Sequence, residues 1–105
     1  MPEPPNQAAA IICQVVEQRY LLQPHQLLNA SKEESVEQAQ RVAWYLIHQM
    51  TYLNLEDISQ YFSQSSKKVE QGINKLKWNL PQSRTLSRWV TSIQEEVKQR
   101  LRDGR

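Results

Sequence analysis

Apolar residues recur at helical spacing along most of the chain. Ala8, Ile12, Val15, Val16 and Tyr20 predict a helix over 7–20, with Asn6 as its N-cap. Pro24 suits the first turn of a short second helix over 24–28, with Leu27 and Leu28 turned inward. A polar connection runs from Asn29 to Glu34. Val36, Ala39, Val42, Ala43, Leu46, Ile47 and Met50 then form an unbroken stripe. It predicts a long helix over 36–51, capped by Ser35 with Gln38 as capping-box partner, and the spine of the core.

Asn54 caps a short helix with Leu55, Ile58 and Phe62 on its inner face. Ser63-Gln64-Ser65 is a tight polar break. Ser65 or Ser66 caps the next helix, Ser66 to Trp78, which buries Val69, Ile73 and Leu76. Two short amphipathic helices across a three-residue turn are the pattern of a helix-turn-helix, here about 54–78. Such a turn favours glycine, and Ser63 stands in its place. Leu80-Pro81 ends the helix, and Ser83 or Thr85 starts a last one over about 85–102. Its stripe is Leu86, Trp89, Val90, Ile93, Val97 and Leu101. The expected fold class is all-α, a compact bundle of about six helices. One domain over 6–105 follows a flexible Pro-rich lead at 1–5.

Composition agrees with this picture. The 105 residues suit one domain, and two glycines leave little material for sharp reversals. Cys13 is the only cysteine, so no internal disulfide is expected. No apolar run is long enough to cross a membrane, and the first residues do not read as a secretory signal. The cytoplasm is the expected compartment, and the glycosylation-like triplet Asn29-Ala30-Ser31 is then a chance match. Charge is divided unevenly. Residues 1–57 carry a balance of −4 and residues 58–105 a balance of +6, so a polyanion would meet the second half.

Catalytic chemistry is hard to find. Cys13 sits among Ile11, Ile12, Val15 and Val16 and reads as a small buried apolar residue. One cysteine with His25 and His48 does not make a zinc site. Glu33-Glu34 and Glu95-Glu96 are sequence neighbours, whose side chains diverge on a helix. No glycine-rich phosphate loop is present. An enzyme is not expected, nor a metal, a cofactor or a small-molecule substrate. What remains is the helix after the turn. Its outward positions include Lys67, Lys68, Gln71, Asn74 and Lys75, with Lys77 and Trp78 beyond them. Lysines suit phosphates, whereas Gln and Asn can pair with an adenine edge in the major groove. The open N-terminal turn, with Ser65 and Ser66, offers backbone N–H groups to a phosphate.

From about Ala10 to Leu101 the chain resembles the C-terminal DNA-binding domain of the bacterial replication initiator DnaA. The resemblance runs through Val15-Val16-Glu17-Gln18-Arg19-Tyr20, Leu27-Leu28, Ser35-Val36 and Arg41-Val42-Ala43-Trp44-Tyr45-Leu46. It continues in Met50 through Ile58, Phe62, Val69 and Ile73-Asn74-Lys75-Leu76. It implies an all-α fold with a helix-turn-helix behind a basic loop, binding short boxes in duplex DNA. No ATPase region is included, so a complete initiator is not expected.

The departures fall on the family's recognition positions. Its signature reads Gly-Arg-Asp-His-Thr-Thr-Val, where this chain has Ser63-Gln64-Ser65-Ser66-Lys67-Lys68-Val69. Where the family has a basic loop, this chain has Ser31-Lys32-Glu33-Glu34, followed by Glu37. The expected DNA-binding residues are Ser65, Ser66, Lys67, Lys68, Gln71, Asn74 and Lys75, with altered or weakened sequence preference. They would serve regulation of replication or transcription. The alternative is a protein-interaction or regulatory module that kept the fold and lost DNA binding. Its partner would be another protein, or a second copy through the last helix, anchored on any exposed indole of Trp44, Trp78 and Trp89.

Overall fold

The computed structural model describes residues 6–29 and 32–103; the proline-rich lead at 1–5, and Ser31 of the polar connection, lie outside them. The described residues form five α-helices: α1 (Gln7–Arg19), α2 (Glu34–Met50), α3 (Leu55–Phe62), α4 (Ser66–Asn79) and α5 (Arg84–Asp103). Two 3-10 turns, Gln26–Leu28 and Leu80–Gln82, complete the order. The α-helix count is therefore five and not about six, because the expected second helix over 24–28 is only a 3-10 turn. His25 adopts left-handed backbone (φ 67°) and stops an α-helix from starting there. Leu27 is then held by side chains. Its N–H donates to Glu17 Oε2 (3.4 Å), and its carbonyl accepts from Gln40 Nε2 (2.9 Å). Both backbone groups are taken before a helical ladder can claim them.

Four helix starts follow their predicted caps. Asn6 Oδ1 accepts from the Ala9 amide (2.7 Å) and Ser65 Oγ from the Lys68 amide (3.1 Å). Ser83 Oγ accepts from the Leu86 amide (3.1 Å). Asn54 and Asp57 close a reciprocal capping box (2.8 and 3.3 Å). The start of α2 differs. Its N-cap is Glu33, without a side-chain cap bond, and Ser35 lies inside the first turn. Glu34 and Glu37 in that turn favour the positive end of the helix dipole in place of a hydroxyl cap.

The long helix α2 is the spine. It packs against both α1 and α4, while α5 contacts α1 and α3 contacts α4. Leu46, Ile47, Ile58, Phe62, Ile12 and Ile93 are among the largest fully buried side chains. Cys13 is buried with them, and that desolvation, reinforced by the charge of Glu17, pushes its thiol up to about 12. It packs as a small apolar group and is no nucleophile at neutral pH. The apolar stripe of α5 packs on this core, with Val90, Ile93 and Val97 buried and Leu86, Trp89 and Leu101 partly buried.

The α1–α5 contact is also pinned by charge. Glu96 binds Arg19 Nε (2.8 Å) and Arg100 Nη2 (2.6 Å), and the Arg19 hydrogen bond is foremost in holding its carboxyl below the usual carboxylate range. Arg100 reaches Gln18 Oε1 (2.6 Å), and Arg19 reaches Ser92 Oγ (2.7 Å). The Arg19 guanidinium lies 5.3 Å from the Trp89 ring centroid, a cation–π contact.

Candidate nucleic-acid interface

α3 and α4 meet across Ser63, Gln64 and Ser65, as the helix-turn-helix pattern requires. Ser63 takes left-handed backbone (φ 54°). Its amide bonds Gln60 O (3.2 Å) and the Gln64 amide bonds Ser59 O (3.0 Å), a Schellman termination of α3. This is the place where the turn favours glycine, and a serine Cβ is strained there. Ser63→Gly is expected to stabilise the fold by about 0.5–1 kcal/mol in urea unfolding, the left-handed strain relieved less the entropy of glycine. A loss of stability would show that the turn is not strained at Ser63.

The turn aims α4 outward. Val69, Gly72, Ile73 and Leu76 face the core, and Lys67, Lys68, Gln71, Asn74, Lys75, Lys77 and Trp78 are exposed. Among the described residues no ion pair engages Lys67, Lys68, Lys75 or Lys77. Glu70 is exposed on the same helix. The two serines are less free than the lysines. Ser65 Oγ is the helix cap, and Ser66 Oγ lies 3.2 Å from Ser59 Oγ on α3. Both side chains take part in the structure of the turn, and both residues are exposed beside Lys67 and Lys68.

A cleft of about 180 Å³ runs between α2 and α4. Glu37, Gln40, Arg41 and Trp44 form the α2 wall, and Lys68, Gln71, Gly72 and Lys75 the α4 wall. Gly72 lets the helices approach closely. A Cβ built there would sit 2.7 and 2.8 Å from two atoms of the Trp44 ring and 3.2 Å from Arg41 Cγ. Trp44 is 2 % exposed and meets Phe62 edge-on, with centroids 5.9 Å apart. Its Nε1 is buried without a hydrogen-bond partner, a cost of about 1–3 kcal/mol that the packed ring must offset.

Sequence reasoning missed Arg41, because its place beside Lys68 and Lys75 depends on how α2 crosses α4. A glycine inside an otherwise helical pattern was the available signal of a close approach. Two carboxylates in the first turn of α2 reach Arg41. Arg41 Nη2 lies 3.3 Å from Glu34 Oε1, and Nη1 lies 4.0 Å from Glu37 Oε2. Exposed large apolar side chains among the described residues are Leu21, Tyr52 and Trp78, each on a different segment. Of the three indoles only Trp78 is exposed, at 72 %. No group of three or more possible metal ligands occurs among the described residues, and none of their helices is long and apolar enough to cross a membrane.

Comparison with known proteins agrees with this architecture. A family model described as the bacterial DnaA protein helix-turn-helix matches residues 9–75, which takes in nearly all of α1, then α2, α3 and most of α4. No curated protein matches the chain. With more than half of the sequence matched, and the matched helices folded as a helix-turn-helix on its supporting core, the chain belongs to the bacterial DnaA helix-turn-helix family.

Proposed function

We propose that this chain binds duplex DNA through α4, with a sequence preference altered or weakened from that of its family. It acts as a binding domain in the cytoplasm, without catalysis, in regulation of replication or transcription. The observation that carries the reading is the outward face of α4, where Lys67, Lys68, Lys75 and Lys77 stand in solvent without ion-pair partners among the described residues. A solvated lysine cluster gains most from a partner whose phosphates release condensed counterions. Lys67, Lys68 and the amides of the first turn of α4 take phosphates, while Gln71 and Asn74 face base edges. Ser65 and Ser66 position that turn.

Altered preference follows from what replaces the family's signature. Lysines at 67 and 68 exchange methyl and hydroxyl contacts for charge, which adds affinity that is blind to sequence. Fluorescence anisotropy with a labelled duplex tests the reading. Lys67→Ala with Lys68→Ala is expected to weaken binding about ten-fold or more at low salt, uniformly across sequences. Unchanged binding by the double variant, or no binding by the native chain at low salt, rejects it.

The second reading is a protein-interaction or regulatory module, and its specific support is the exposed Trp78 on the last turn of α4. One exposed indole without an apolar surround is a thin basis for a protein interface, where anchors sit in clusters. Trp78→Ala separates the two, since it leaves duplex affinity nearly intact under the first reading.

A further inference from the structure

We propose that Glu34 and Glu37 act as an intramolecular brake on phosphate binding in the α2–α4 cleft, by occupying the guanidinium of Arg41. The inference rests on the DNA-binding reading above and concerns the regulation of that site. Arg41 is unlike the lysines of α4. Its side chain is only 12 % exposed, and its stem packs beside Gly72. Arg41 lines the cleft with Lys68 and Lys75, and its guanidinium is held by carboxylates at 3.3 and 4.0 Å. A planar guanidinium, sheltered and fixed in direction, is the stronger phosphate ligand of the two residue types. Here it is already engaged by the nearest anions of its own chain.

A duplex phosphate approaching the cleft must therefore displace a carboxylate before it meets Arg41. Glu34 is 82 % exposed and Glu37 42 % exposed. Ion pairs with such exposed carboxylates are weak. The exchange is easy enough to be a brake and not a lock. Two further effects act in the same direction. The carboxylates repel the incoming phosphate, and their loss frees one more cation to release counterions from DNA.

The test is a cycle of variants read by anisotropy over a range of salt, on a short labelled duplex of mixed sequence. Glu34→Gln with Glu37→Gln is expected to tighten binding about ten-fold. It should also steepen the slope of log affinity against log salt by about one, the signature of one added phosphate contact. Arg41→Met in the native background should cost clearly less affinity than in the glutamine background, because the pairs with Glu34 and Glu37 offset part of what Arg41 gives a phosphate. The same substitution in the glutamine background should remove most of the gain. Arg41→Gln replaces it if the methionine variant melts early. Equal tightening with and without Arg41, or none at all, overturns the brake while leaving the α4 reading in place. If the native chain does not bind, or Lys67→Ala with Lys68→Ala has no effect, the α4 reading fails and the brake falls with it.

Discussion

Gly72→Ala is expected to destabilise the fold by about 1–2 kcal/mol, although alanine is the better helix former. Its methyl group would have to occupy space 2.7–2.8 Å from the Trp44 ring. The ring is rigid, buried and backed by Phe62, so it cannot swing aside. Overpacking of this kind costs about 2–3 kcal/mol, against a gain of about 1 kcal/mol from removing a helical glycine. Trp44→Ala alone is expected to cost about 3–5 kcal/mol through the cavity it leaves. The informative quantity is the coupling. In a Trp44→Ala background the methyl has room, so Gly72→Ala should turn mildly stabilising, by up to about 1 kcal/mol. Urea unfolding of the four proteins measures this. Additive effects would mean that the contact between α2 and α4 is not set by the indole.

Raising salt from about 50 to about 200 mM is expected to weaken duplex binding about a hundred-fold. The estimate assumes that Lys67, Lys68, Lys75 and Lys77 each neutralise one phosphate, giving a log–log slope near −3.6. A four-fold rise in salt then costs roughly two decades of affinity. Titrations at several salt concentrations give the slope directly. A slope near zero would remove the electrostatic basis of the DNA reading. A slope near −2 would mean that only the first turn of α4 meets phosphates.

The features legible in the sequence are those set by neighbours three or four residues apart. The stripe of α2, the Asn54 and Ser65 caps and the left-handed demand at Ser63 are all local, and each is present. What escaped depends on side chains that arrive from elsewhere. The turn at Gln26–Leu28 read as a helix because Pro24, Leu27 and Leu28 suit one. Only the reach of Glu17 and Gln40 to Leu27, from 10 and 13 residues away, shows why it is not. Ser35 read as a cap because it precedes an apolar run, whereas the carboxylates around it support an earlier start. At the candidate site, the outward lysines followed from the helical period. The cleft did not, since Arg41 and Lys68 are brought together by a helix crossing that periodicity does not encode. The acidic segment was seen as a repellent for phosphates. That its charge settles on Arg41 required geometry.

The clasp of Arg19, Glu96 and Arg100 joins helices from opposite ends of the chain, and α5 lies outside the stretch matched by the family. The clasp is thus separate from the outward face of α4. Substitutions on that face leave the clasp untouched, and strengthening the clasp leaves the face unaltered. The same separation leaves the outward positions of α4 open to replacement on an unchanged chassis.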